Sequence, residues 1–192
     1  NNKLISKTNK IRYLLSDIAS KFYKSQPKNI IAVTGTNGKT SVSDLFYQIL
    51  KINNIRAASI GTLGIKYDDK IIKTNLTSPD TITLHKNLNL LGNKKINNVI
   101  IEASSHGLDQ KRWHNIKFRG SIFTNFSQDH LDYHKTMKSY LNAKLILFRK
   151  ILGTKSTIIS DEEIPTFKIL KEIAKKKNLK IVDINKTLKK IK

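Results

Sequence analysis

One stretch constrains this chain more than any other: Ile30-Ile31-Ala32-Val33-Thr34-Gly35-Thr36-Asn37-Gly38-Lys39-Thr40-Ser41. The β-branched, apolar run suits a strand buried on both faces, and it empties into a glycine-rich turn. From Val42 to Leu50 the apolar residues then recur at helical spacing. Strand, glycine turn and helix, in that order, aim backbone N–H groups and a helix N-terminus at one anion. Gly35 and Gly38 let phosphate oxygens approach the backbone, Lys39 reaches the β- and γ-phosphates, and Thr40 offers a hydroxyl to Mg²⁺. The pattern departs from a full phosphate loop once, because Val33 stands where a glycine is expected five residues before Gly38. The bland alternative is a glycine turn with a surface lysine, and the flanking strand and helix argue against it. The expected ligand is a nucleotide.

Composition narrows the class. At 192 residues the chain is long enough for one domain with a sizeable core. No run of eighteen apolar residues predicts a membrane span, and the polar N-terminus has no signal-peptide pattern. The absence of cysteine excludes disulfides and thiolate metal sites and points to the cytoplasm. A formal net charge of +22 raises nucleic acid or an anionic surface as partners. The basic residues are dispersed, however, with no block beyond Lys175-Lys176-Lys177, and Lys, Asn and Ile are abundant together as an A+T-rich coding sequence would favour. Neither nucleic acid nor membrane is therefore expected as the main partner. A basic nucleotide-dependent nucleic-acid module stays as the reading from another class, marked by steeply salt-dependent DNA binding.

In chain order, Ile11, Leu14, Leu15, Ile18, Ala19 and Phe22 predict an amphipathic helix over 9–24 whose stripe packs on the domain. A turn containing Pro27 leads into the loop strand. Arg56–Ile60 reads as a strand, and Leu63–Tyr67 with Ile71–Thr74 as a hairpin about Asp68-Asp69-Lys70. Thr81–Asn93 reads as a helix ending near Gly92. Val99–Ile101 is a buried strand that presents Glu102 at its carboxyl end, where ligands of open α/β sheets sit. Glu102 is thus either an Mg²⁺ ligand or a cap on the following turn. Ser121–Phe123 is the next strand. His130 and His134 have helical spacing, but Leu131 replaces the glutamate a zinc protease requires. Met137–Phe148 reads as a helix in which Lys144 would snorkel to the surface. Thr157–Ser160, Pro165–Lys177 and Lys180–Ile184 continue as strand, helix and strand. The alternation predicts an α/β fold: a mostly parallel sheet with helices on both faces. A GTPase would need Asn-Lys-x-Asp, and Asn185-Lys186-Thr187-Leu188 lacks the aspartate.

Four stretches, TGTNGKTS at 34–41, LTSPD at 76–80, EASSHGLDQKR at 102–112 and FTNFSQDHLDYHKTMKSYLNAKLILF at 123–148, together resemble the Mur ligases. Within that family, SSHGLDQ and DHLDYH are most similar to the member that adds the third peptide residue to UDP-N-acetylmuramoyl-L-alanyl-D-glutamate. The phosphate loop alone is shared with folylpolyglutamate synthetase, which is the alternative ligase. The resemblance implies a P-loop NTPase-like central domain that is incomplete. Residues 1–28 would be its lead-in helix and 29–192 a partial ATP-binding domain, the uridine-binding and C-terminal amino-acid-binding domains being absent. It further implies ATP held by Gly35, Thr36, Asn37, Gly38, Lys39, Thr40 and Ser41. Mg²⁺ would be held by Thr40, Glu102 and His130, and the UDP-linked dipeptide by Thr77, Ser78, Ser104, Gln110 and Arg112. Lys144 matches a lysine the family carbamylates, which replaces the surface reading, so Lys39, His130 and Lys144 become the catalytic set. Where the family often has Asn-Thr-Thr-Pro, this chain has Leu76 and Ser78, so a contact from the Asn side chain is lost. The implied activity is ATP-dependent, ADP-forming amide synthesis in peptidoglycan precursor assembly, through an acyl phosphate. The incoming amino acid would be meso-diaminopimelate or L-lysine, the full-length enzyme a monomer, and this fragment alone inactive in ligation.

Overall fold

The computed structural model describes residues 11–74 and 77–189. In chain order these form α1 (Ile11–Phe22), β1 (Asn29–Thr34), α2 (Lys39–Ile52), β2 (Ala57–Gly61), β3 (Gly64–Tyr67) and β4 (Lys70–Ile72). Next come α3 (Thr81–Asn93), β5 (Asn98–Glu102), α4 (Ser105–Asp109), β6 (Phe118–Phe123), α5 (Leu131–His134) and α6 (Met137–Ile146). A π-helical turn, Leu147–Ile151, then leads to β7 (Thr157–Ser160), α7 (Phe167–Lys177), β8 (Lys180–Asp183) and α8 (Ile184–Lys189).

The eight strands make one sheet in the order β4-β3-β2-β5-β1-β6-β7-β8. From β2 to β8 neighbours run parallel, and β2, β3 and β4 form an antiparallel meander at one edge. β1 and β5 sit at the centre because their residues are apolar on both faces: Ile30, Ala32, Val33, Val99, Ile100 and Ile101 are all fully buried. Parallel crossovers are right-handed, and the one from β1 to β2 runs opposite in direction to every later parallel crossover. Hence α2 covers one face, and α3, α4, α6 and α7 cover the other. The chain leaves β1 toward one face and leaves its neighbours β5 and β6 toward the other. That divergence opens a crevice at the carboxyl end of β1.

The structure agrees with the expected α/β class and refines it. β6 begins at Phe118, before the expected Ser121, and the helix from Met137 gives way to the π-helical turn after Ile146. The apolar stripe expected to pack under α1 does not. Ile11 is 70% exposed and Phe22 78%, and Leu14, Leu15 and Ile18 are exposed too. Of that stripe α1 buries only Ala19, together with Ser16 from outside it. The Ser16 hydroxyl donates to His114 O at 2.7 Å and lies 3.3 Å from Nε2 of His85 on α3, so short side chains let the helices approach. The expected helix start at Asn9 and the expected role of Leu76 fall outside the described residues.

Candidate active site

The glycine turn is fixed by its neighbour across the crevice. Gly35 leaves β1 at φ +149°, and a Cβ there would lie 1.9 Å from the Thr124 hydroxyl oxygen. Gly38 has φ +82° at the N-terminus of α2, a left-handed value suited to glycine. Loop 124–127, which follows β6, holds the turn open by its backbone. Thr36 N–H donates to Asn125 O at 3.0 Å, Asn37 N–H to Asn125 Oδ1 at 2.9 Å, and the Thr124 hydroxyl to Asn37 O at 2.6 Å. The Thr36 hydroxyl donates to Ser127 O at 3.1 Å and accepts from Ser127 N–H at 3.0 Å. These bonds fix the turn although Val33 replaces the usual first glycine.

Two lysines meet inside the loop. Lys39 Nζ donates to Gly35 O at 3.1 Å and to Thr36 O at 2.7 Å. Lys144, from α6, is 1% exposed and donates to the same Gly35 O at 2.6 Å. Burial lowers the Lys39 amine, opposed by the negative fields of Glu102 and Asp129. Burial pushes Lys144 down to about 7, and the positive charge of Lys39 adds to the fall. The surface reading of Lys144 is thereby overturned: α6 is buried at Tyr140, Ala143, Lys144 and Leu145, and Nζ lies 4.4 Å from the Tyr140 ring centre.

Glu102 ends β5 against the loop and is 1% exposed. Oε2 accepts from the Thr40 hydroxyl at 2.8 Å and the Thr62 hydroxyl at 3.1 Å, and Oε1 accepts from Thr62 N–H at 2.9 Å. Space for it exists because residue 61 is glycine, where a Cβ would lie 2.0 Å from Oε1. Thr40 and Glu102 therefore offer adjacent hard oxygens at the loop mouth. Among the described residues no group of three His, Asp or Glu side chains converges as a protein-only metal cage. That donor set fits Mg²⁺, which keeps waters and phosphate oxygens as most of its ligands.

His130 stands at the start of α5 with φ +50°. Its Nε2 lies 3.4 Å from Asp129 Oδ2, and its ring packs 4.9 Å from His106 and 6.0 Å from Tyr140. The Tyr140 hydroxyl in turn lies 3.4 Å from Thr36 Oγ1, which links the histidine side to the loop. His106 and His134 are both lowered by burial and then by a neighbouring histidine, so this wall is less cationic than its composition suggests.

The remaining expected residues form the far wall as one hydrogen-bonded cluster. Ser78 Oγ lies 2.9 Å from both Glu102 O and Ser104 Oγ, and it accepts from Ser104 N–H at 3.0 Å. Ser104 caps α4 by accepting from Gly107 N–H at 3.1 Å. Arg112 donates to Ser78 O at 2.5 Å and twice to Gln110 Oε1, at 3.1 and 2.6 Å. The Thr77 hydroxyl donates to Thr62 Oγ1 at 3.1 Å, since the Thr62 proton is taken by Glu102, and so closes the cluster onto that carboxylate. In this state Ser78 is buried and works as a strut of the wall. Gly61, Thr62 and Tyr140 were given no role by sequence reasoning. The Gly61-Thr62 pair ends the strand next to β5, and its position at a strand's carboxyl end was the available signal.

The family model described as Mur ligase middle domain matches residues 33–191. This chain belongs to the Mur ligases. Among curated relatives, the UDP-N-acetylmuramoyl-L-alanyl-D-glutamate–2,6-diaminopimelate ligase of Zymomonas mobilis is 42% identical over 173 residues, covering 90% of this chain and 36% of its own. The ligase of the same name from Rickettsia montanensis is 41% identical over 169 residues, covering 86% and 35%. A solved structure of a ligase of that name superposes with a TM-score of 0.76 at 28% identity, over 90% of this chain and 35% of the other. A folylpolyglutamate synthetase complex with AMPPCP reaches a TM-score of 0.69 at 14% identity, over 90% of this chain and 49% of the other, and shares the fold alone. The Mur ligase domain described here spans about a third of the length of the ligases it matches. No described helix is long and apolar enough to cross a membrane.

Proposed function

We propose that this chain is the ATP-binding part of a ligase that joins 2,6-diaminopimelate to UDP-N-acetylmuramoyl-L-alanyl-D-glutamate. The observation that carries the reading is the apposition of Lys39, Thr40 and Glu102 at the mouth of one glycine turn. The names of the relatives supply the substrate, and both curated relatives named above are 2,6-diaminopimelate ligases, which favours it over L-lysine.

The residues divide the work by chemistry. The loop's N–H groups and the N-terminus of α2 receive the phosphates of ATP. Lys39 exchanges its carbonyl partners for phosphate oxygens and offsets charge growing on the transferred group. Thr40 and Glu102, with His130, would hold Mg²⁺, which supplies Lewis-acid neutralisation of the phosphates when bound. The free carboxylate of the D-glutamyl residue attacks the γ-phosphorus and ADP leaves. The amine of the incoming amino acid then attacks the acyl carbon, and phosphate leaves. Arg112 clamps an anionic part of the substrate by paired donors once the wall opens around it.

Lys144 enters through its protonation state. With the amine at about 7, a large share is neutral at neutral pH. A neutral amine attacks CO₂, forms an N–C bond and releases one proton, leaving an anionic carbamate. Inside the loop that inverts the charge from one that repels Lys39 to one that attracts it.

The test is Lys39→Ala in the full-length enzyme, assayed for phosphate release and tripeptide formation. Loss of both by about a thousandfold is expected, since a preorganised charge is removed from the transferred group. Ligation at the wild-type rate would refute the assignment, and folate-dependent turnover would favour the folylpolyglutamate reading.

A further inference from the structure

A second concave site lies at the opposite end of the sheet. Its wall includes Gln26–Lys28 just before β1, Ile116 and Lys117 just before β6, and Ile146, Lys150 and Ile151 at the π-helical turn. The phosphate loop leaves the other end of β1, six residues away, which at strand rise is about 20 Å. The cavity measures about 930 Å³, within the range of sites that hold small molecules.

Its lining is one-sided in charge. Lys24, Lys28, Lys111, Lys117 and Lys150 contribute to it and no carboxylate does. Among the described residues none of the five is paired with an acid, while Lys111 rests 4.5 Å over the Tyr13 ring. Asp17, near the cavity, is engaged instead by Asn115 Nδ2 and lies 3.5 Å from His114 Nε2. The inner wall is apolar, with Pro27, Trp113 and Ile116 buried. Basic groups around an apolar floor match a ligand that carries several negative charges at one end and a flat, apolar body at the other.

We infer that this cavity is a second binding site, distinct from the phosphate loop, for a small molecule bearing a di- or triphosphate group. Five exposed lysines border one concavity whose lining holds no carboxylate, and a phosphate chain would engage several of them at once. The lysines ring one local, half-open concavity of about 930 Å³, which suits a small ligand better than a polynucleotide tracking a continuous groove.

Trp113 is the sole tryptophan of the chain and lies in this wall, so its fluorescence reports on the cavity; its Nε1 also lies beside Gly107 of α4, so the charge-reversed variant below is what separates a cavity signal from one arising at the Ser78–Ser104 wall. The experiment titrates pyrophosphate and, separately, ADP into the chain carrying Lys39→Ala, without divalent cations and at constant ionic strength. A saturable change in Trp113 emission is expected. Saturation by pyrophosphate assigns the phosphate chain as the recognised group, and saturation by ADP alone assigns the whole nucleotide. The doubly reversed variant Lys28→Glu/Lys150→Glu, checked for unchanged melting, should weaken binding by about tenfold or more. Three results would overturn the inference: no saturable change, the same change with chloride, or equal affinity in the reversed variant. Tight binding of a random oligonucleotide with no response to either phosphate compound would overturn it in favour of a polynucleotide surface. Lys39→Ala weakens phosphate binding at the loop, and because the ligase reading is tested by turnover of the full-length enzyme, failure here leaves it untouched.

Discussion

Gly61 and Glu102 make a pair whose energetics can be worked out before any measurement. Glu102 is buried, and its carboxylate is held by the Thr40 hydroxyl, Thr62 N–H and the Thr62 hydroxyl at 2.8, 2.9 and 3.1 Å. In Gly61→Ala the new methyl would lie 2.0 Å from Oε1, 2.4 Å from Cδ and 2.6 Å from Cγ. No L-residue packs at those distances, so the carboxylate must turn away and give up at least two of its bonds. At about 1.5 kcal/mol for each bond to a charged group, the loss is about 3 kcal/mol. If the carboxylate instead stays and the site overpacks, the cost is about 1–3 kcal/mol in place of the lost bonds. Gly61 does not have positive φ, so alanine is acceptable to the strand and backbone strain does not enter. In a Glu102→Ala background the clashing atoms are gone, and Gly61→Ala should then cost less than about 0.5 kcal/mol. Urea unfolding of the four proteins of this cycle should give a coupling of about 3 kcal/mol. The single variant should melt roughly 6–12 °C below the parent. A coupling under about 0.5 kcal/mol would show that Glu102 does not occupy the space beside Gly61, and the metal-ligand geometry would fall with it.

The amine of Lys144 sets a pH dependence. Its folded value near 7 lies below the ordinary 10.5, so between these limits the unfolded chain holds one more proton, and stability rises with pH. Comparing urea midpoints of the parent and Lys144→Met over pH 7–9 should show the parent gaining up to about 1.4 kcal/mol per pH unit over the variant; parallel profiles would place the amine elsewhere. With ¹³C-labelled bicarbonate, ¹³C NMR should show a carbamate resonance that vanishes in Lys144→Arg, because a guanidinium stays protonated; a resonance that survives belongs to another amine. Arg112→Lys in the full-length enzyme keeps the charge but loses the paired donors, and should raise KM for the UDP-linked substrate by about tenfold with little change in the KM for ATP. Equal effects on both would make Arg112 a structural residue only.

How much could be read in advance depended on whether the cause was local. α3 was legible end to end because Asp80 accepts from Ile82 N–H and Thr83 N–H as its cap, next to Pro79. β7 was legible because an apolar run stands between polar turns. The start of β6 was not, since Arg119 and Gly120 look like loop residues. Gly120 is needed because a Cβ there would meet Thr157 O of the neighbouring strand at 3.0 Å. The stripe of α1 was legible as a face, but periodicity does not say which part of a face finds a partner: of the stripe only Ala19 is buried, beside Ser16 from outside it. At the site, the loop and Glu102 followed from the strand-end rule. Thr62 lies 40 residues from Glu102 in sequence, and Lys144 meets Gly35 across 109, so only the folded sheet brings these groups together. The burial of Lys144 could be expected from resemblance and not from its own helix, whose apolar and polar residues are hardly segregated.

The Gly35 carbonyl, with a lysine amine from each side, makes nucleotide capture an exchange. The frame is assembled before the triphosphate arrives, so little ordering entropy is lost on arrival. Each phosphate contact that Lys39 gains is a peptide oxygen surrendered, which mutes the heat released. Calorimetry should therefore find a modest enthalpy, with the affinity drawn largely from displaced water.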